Sequence, residues 1–378
     1  MTDLTELETP CLLLDLDRLE RNLQRMREHC RSKGAQLRPH LKTAKSIDVA
    51  RLAAAGAPMA VTVSTLQEAD HFARAGYRDL LLATPVVPTK LARAARIMAE
   101  TGADLILATD SAGVAAAAAR FAQTQGIRLS LVIEVDCGEH RSGLPAGDVA
   151  AIVSLARTIH ASPHLRLRGI MTHAGHSYGT DDVAAVAGIA RAECGAAAAV
   201  ATAIRGAGLP CEIVSVGSTP TVLHAPSFAG ITEVRCGIYM FWDLSQASRH
   251  ICGIDDIAVS VLASVISHSQ AAPALILDAG ALALSKDLGA QRYMPEAGYG
   301  LVCDPATATP LPGLAVATVH QEHGTVPIRD LAWFERLPVG SVVRVLPNHA
   351  CITCAAYEAY TVVRGEQTVA TWPRVNGW

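Results

Sequence analysis

The feature that most constrains this chain is an alternation running from residue 37 to about 235. Short apolar, partly β-branched runs are separated there by alanine-rich segments of helical period. The runs fall at 37–41, 60–63, 79–83, 104–108, 128–135, 167–172, 213–216 and 232–235, which makes eight strand candidates. Segments 65–75, 89–100, 111–124 and 181–205 between them are long enough for the helix that joins one parallel strand to the next. Eight such repeats close most simply as a (β/α)8 TIM barrel, expected over residues 17–250. After 235 the texture changes to runs at 257–266, 275–277, 342–346, 359–363 and 368–372, punctuated by Gly and Pro. That pattern predicts a C-terminal all-β domain over 251–378. An opening strand at 11–16 precedes a helix at 17–32, with Asp15 or Asp17 as its cap. Two partners are open to residues 1–16, the barrel or the C-terminal sheet.

Composition narrows the function classes. Half of the 378 residues are apolar and 18% are charged, so a large core is available and disorder is excluded as a general description. Mean hydropathy is +0.27, but the value comes largely from alanine and no stretch of about 18 uninterrupted apolar residues is present, so no membrane span is expected. Net charge is −3, aromatics are 4% and no basic block occurs, which argues against nucleic acid and for a small-molecule partner. Ten cysteines are scattered through a long chain whose first eight residues lack a charged and apolar leader pattern. Reduced thiols and a cytoplasmic location are expected, with most cysteines packing as small apolar residues.

Barrel active sites lie at the C-terminal ends of the strands, so the residues following each run are the ones to inspect. Lys42 follows the first; Glu134, Asp136, His140 and Arg141 come with the fifth; Thr172, His173, His176 and Tyr178 with the sixth. Gly217-Ser218-Thr219 follows the seventh run, and Gly237 and Tyr239 the eighth. Loops after strands seven and eight commonly bind phosphate, and Gly-Ser-Thr offers backbone N–H groups and two hydroxyls. A lysine across the barrel mouth from a phosphate site suits a pyridoxal phosphate enzyme, whose cofactor aldehyde forms a Schiff base with an amine. Each element also has a plainer reading: a solvated lysine, an ordinary turn, and for Arg141 a surface ion pair in place of a cation beside the pyridine nitrogen.

A second cluster is Pro347-Asn348-His349-Ala350-Cys351-Ile352-Thr353-Cys354. On an extended segment His349 and Cys351 would point to the same side, and imidazole with thiolate is a zinc-type donor set. The alternative is a buried histidine beside inert thiols. Cys354 adds a Cys-x-x-Cys spacing, open to a redox dithiol or a third metal ligand; the absence of a thioredoxin-like strand-then-helix context disfavours the former.

Arg38-Pro39-His40-Leu41-Lys42-Thr43, His140-Arg141-Ser142-Gly143, Thr172-His173-Ala174-Gly175, Val216-Gly217-Ser218-Thr219-Pro220, Arg235-Cys236-Gly237-Ile238-Tyr239, Asp278-Ala279-Gly280, Gln321-Glu322-His323-Gly324 and Pro347-Asn348-His349-Ala350-Cys351 together resemble the D-serine dehydratase and D-threonine aldolase family. These are metal-dependent, fold-type III pyridoxal phosphate enzymes related to alanine racemase, and the resemblance spans nearly the whole chain. It implies Lys42 as cofactor lysine and Cα base, Arg141 at the pyridine nitrogen, and Ser218, Thr219, Gly237 and Tyr239 around the phosphate, with Tyr178 lining the pocket. His349 and Cys351 are implied as ligands of zinc or another divalent metal such as manganese or cobalt. Cys354 lies outside the family pattern. His-x-Cys, as here, resembles the dehydratases, and His-x-Asp the aldolases. The implied activity is conversion of a D-3-hydroxy amino acid, such as D-serine, D-threonine or D-threo-3-hydroxyaspartate, to a 2-oxo acid and ammonia by a homodimer. Retro-aldol cleavage to glycine and an aldehyde is the alternative, followed by a non-catalytic pyridoxal phosphate carrier.

Overall fold

The structure, a computed structural model, describes residues 3–55 and 60–378. They group into two compact units, one of residues 25–237 with 375–378, the other of residues up to 24 with 238–374.

All eight expected strands are present in the first unit. Around the sheet they run Gln36–Leu37, Glu233–Val234, Ile213–Val216, Leu165–Thr172, Leu129–Asp136, Asp104–Thr109, Asp79–Pro85 and Val61–Val63, all pairs parallel. Only the first departs from expectation. Pro39 has no N–H to give, so the regular ladder stops after Leu37. Pairing resumes at a single parallel bridge between His40 and Thr62, where Thr62 N–H donates to Pro39 O (2.9 Å) and Leu41 N–H to Thr62 O (2.8 Å). That bridge links the first strand segment to the last and closes the curled sheet.

The crossover helices are capped as their sequences require. Side chains of Thr65, Ser111, Asp148 and Asp182 accept from the first turns of Leu66–Arg74, Ala112–Gln125, Val149–Ala161 and Val183–Gly206, while Gly102 and Gly126 take the left-handed position after their helices. Among the described helices, Val183–Gly206 alone has the length and apolarity to cross a membrane. In the fold it packs on strands Leu165–Thr172 and Ile213–Val216 through Val186, Ala190, Ala197, Val200 and Ile204. Small side chains permit that close approach, which accounts for the alanine behind the positive hydropathy.

The second unit is a ten-stranded, mostly antiparallel sheet with main order Pro310–Ala315, Gly300–Cys303, Val342–Pro347, Val259–Ser269, Cys11–Asp15, Ala359–Arg364 and Gln367–Pro373. The opening strand therefore pairs here: Cys11–Leu14 lies antiparallel to Val259–Leu262, and Leu13–Asp15 parallel to Thr361–Val363. Asp15 caps the following helix, its Oδ1 accepting from Arg18 N–H at 3.0 Å. Residues 238–250, expected in the barrel domain, group with the sheet unit, where Ala258 N–H donates to Phe241 O and Ala350 N–H to Asp243 Oδ2.

Candidate active site

A cavity of about 340 Å³ opens at the C-terminal ends of the barrel strands, lined among others by His40, Lys42, Glu134, Arg141, His173 and Arg235. Lys42 sits in the turn directly after the closing bridge and lines the cavity. Arg141 stands on the loop after the fifth strand. That loop is folded by Asp136, whose Oδ1 accepts from Gly138 and His140 N–H, and by Asp110, which accepts from Gly143 N–H at 2.9 Å. Its guanidinium is more than half exposed and pairs with Glu139 (3.3 Å).

Arg235, which the sequence reading missed, directly follows the eighth strand and is 4% exposed. One of its N–H groups reaches the carbonyl of Thr172; Nε and Nη1 have no partner. Two unpaired cationic N–H groups in the wall of a cavity are costly and point to an acceptor that fills the space. The available signal was a charge at the end of a run reading as strand. Glu134 is also buried; its Oε1 accepts from Ser142 Oγ at 2.9 Å, and burial raises its pKa.

Both histidines of the cavity are held neutral. Burial, then the positive field of Lys42, drives His173 down to about 3 and His40 well below 6.5, with Arg141 and Arg235 adding to both. His173 Nδ1–H donates to Gly217 O at 2.5 Å, since a carbonyl only accepts, so the other ring nitrogen is the acceptor.

The loop after the seventh strand is buried and specific. Ser218 Oγ is engaged with Ser177 Oγ (2.8 Å) and with the first turn of Thr219–His224, whereas the buried Thr219 Oγ1 has no partner. Gly217 has φ +143°, and a Cβ there would sit 2.8 Å from Arg235 O; at Gly237 it would sit 2.5 Å from His40 O. Tyr178 is half-buried in the neighbouring turn Gly175–Gly179. Tyr239, His349 and Cys351 belong to the sheet unit, where Tyr239 is fully buried.

The segment carrying His349 and Cys351 is not extended as expected. His349 is the cap of a short helix, Ala350–Cys354, because Ala350 N–H is fixed by buried Asp243 and Ile352 and Thr353 N–H turn back to His349 O. The two side chains still meet through a hydrogen bond. His349 Nδ1–H donates to Asp287 Oδ2 at 2.6 Å, a carboxylate that the sequence reading passed over. Among the described residues no group of three His, Cys, Asp or Glu forms a complete metal cage. Cys354 is fully buried, and burial pushes its thiol up to about 12.

Residues 14–245 match the alanine racemase N-terminal domain family, and residues 258–363 match the putative serine dehydratase domain. Barrel and cavity thus define an alanine racemase-like class of protein. Within that class, the chain is 42% identical to D-threo-3-hydroxyaspartate dehydratase of Delftia sp. (strain HT23), covering 99% of both chains. It is 31% identical to 3-hydroxy-D-aspartate aldolase of Paracoccus denitrificans, over 98% of this chain and 92% of that one. The solved structure of the Delftia enzyme superposes with TM-score 0.96 at 41% identity over 100% of both chains, and a cysteine-to-alanine variant of it is described as the metal-free form. The chain belongs to the D-serine dehydratase and D-threonine aldolase family.

Proposed function

We propose that the protein is a pyridoxal phosphate- and metal-dependent lyase that converts a D-3-hydroxy amino acid to a 2-oxo acid and ammonia. The observation that carries this reading is one cavity at the strand ends where Lys42 meets a buried, half-unpaired Arg235 and two histidines kept neutral. Likeness to the Delftia dehydratase supports the same reaction class, and favours a substrate with a β-carboxylate.

The residues fit the cofactor. Lys42 Nζ holds it covalently and moves the Cα proton of the substrate. Thr219, with its spare hydroxyl, together with Ser218, Gly237 and Tyr239 is assigned to the phosphate, and Tyr178 to the cofactor pocket. Arg235 suits the pyridine nitrogen better than Arg141, because its unpaired N–H groups are buried while Arg141 is exposed and already paired. Arg141, at the entrance, then fits a carboxylate of the substrate. Bound pyridoxal phosphate supplies the electron sink for the charge left at Cα. His349 and Cys351 are assigned to hold a divalent metal, zinc in this reading, which would supply Lewis acidity for departure of the β-hydroxyl.

A panel of D-3-hydroxy amino acids, assayed with and without chelator, tests the reading. Ammonia and 2-oxo acid should form, fall on chelation and return with zinc; glycine and an aldehyde instead would place the chain with its aldolase relatives. Lys42→Ala should lose the visible absorbance of the lysine-linked cofactor, and an unchanged spectrum would sink the lysine assignment.

A further inference from the structure

Glu193 lies in the middle of the apolar crossover helix Val183–Gly206, on its buried stripe between Ala190 and Ala197, and is 1% exposed. A carboxylate buried on such a face is costly unless donors surround it. Three do. Oε1 accepts from Thr172 Oγ1 (2.9 Å) and from Gly217 N–H (3.0 Å), and Oε2 accepts from Thr221 Oγ1 (2.8 Å). Thr172 ends the sixth barrel strand, Gly217 opens the loop after the seventh, and Thr221 lies in the first turn of the helix that follows. One side chain therefore ties two strand ends and a helix start.

The peptide groups at Gly217 are held from both sides. Glu193 takes its N–H while His173 donates to its carbonyl. Thr221, gripped by Glu193, in turn accepts from Ser218 N–H at 3.2 Å and completes the capping box with Ser218. These contacts occupy Ser218 and Thr221 internally and leave the Thr219 hydroxyl as the buried one without a partner.

We infer that Glu193 is a positioning residue, which sets the 217–219 loop in the form that receives a phosphate monoester without touching the phosphate itself. This rests on the cofactor reading above. Its weight should fall on the phosphate and not on the aldehyde end of the cofactor.

The test compares the affinities of the cofactor-free protein for pyridoxal 5′-phosphate and for pyridoxal, which lacks the phosphate. Glu193→Gln keeps the volume but turns one acceptor into a donor against hydroxyls and an N–H already aimed at it. Affinity for pyridoxal phosphate should drop about tenfold or more, with that for pyridoxal little changed. Thr221→Val removes one of the three donors and should show the same selective loss, so it decides the matter if the Glu193 variant does not fold. Equal weakening toward both compounds, or none toward either, would overturn the inference alone. Wild-type protein that binds neither would overturn the cofactor reading and the inference with it.

Discussion

At the scale of single residues, the cavity histidines carry a pH dependence whose sign is fixed. In the unfolded chain they titrate near 6.5, while in the fold burial and then Lys42 hold His173 to about 3 and His40 well below 6.5. As pH falls below about 6.5 the unfolded state takes up protons that the folded state refuses. Their contribution is therefore complete above that pH and is lost progressively toward 3, at up to about 1.4 kcal/mol per pH unit for one proton. His173→Gln should flatten the fall in stability between pH 6.5 and 3, measured as denaturant midpoints at a series of pH values. A slope equal to wild type would refute the assignment. The residues behind this effect show what a chain of letters can disclose about a site. Lys42 and Arg141 were legible because a βα repeat tells where strands end, and chemistry collects there. Arg235 was not, since its value lies in burial and missing partners, and neither was Glu193. A lone carboxylate on an apolar helical stripe is a visible signal, but its three donors come from residues 172, 217 and 221, which only the fold assembles.

At the scale of elements, the barrel strands read clearly because parallel strands buried on both faces are continuous apolar runs. In the sheet unit, Val259–Ser269, Val342–Pro347 and Ala359–Arg364 were equally plain. Gly300–Cys303, Pro310–Ala315, Thr318–Val319 and Gly324–Pro327 were not: they are short or rich in Gly and Pro, and their strand character comes from the neighbours that pair them. The weak point of the barrel, the interrupted first strand, is braced by charge. Arg38 Nε donates to Glu233 at 2.8 Å, Nη1 to Asp79 at 2.7 Å, and Ser215 Oγ reaches Glu233 at 2.7 Å, so one cluster joins the first, third, seventh and eighth strands. Arg38 and Glu233 are buried, so Glu233→Ala leaves a guanidinium short of a partner and should cost about 3 kcal/mol, read by chemical denaturation. A loss below about 1 kcal/mol would mean that Asp79 suffices. The eighth strand also delivers Gly237, where a methyl group would meet His40 O at 2.5 Å. Gly237→Ala should push the turn that bears Lys42, weakening uptake of pyridoxal phosphate in a spectral titration while most of the stability remains.

At the scale of the whole molecule, the sheet unit is discontinuous in sequence. The sheet unit needs the first residues and a segment more than 200 positions later, with the barrel residues between. Its strand Cys11–Asp15 lies inside the sheet, hydrogen-bonded on both sides, and Leu13 is fully buried in a cluster with Leu4, Leu262 and Val363. Pairings of such long separation are slow to form and cooperative once made. Leu13→Ala should therefore cost about 2–5 kcal/mol, against less than about 0.5 kcal/mol for Leu282→Ala, which truncates a side chain that is 57% exposed. The loss should also be local to one unit. Hydrogen exchange of Leu13→Ala should speed up at Val261, Leu262, Val362 and Val363, whose strands flank the cavity it leaves, while Leu131 and Val132 in the barrel keep wild-type protection. Uniform acceleration across both sheets would show instead that the two units open as a single cooperative body.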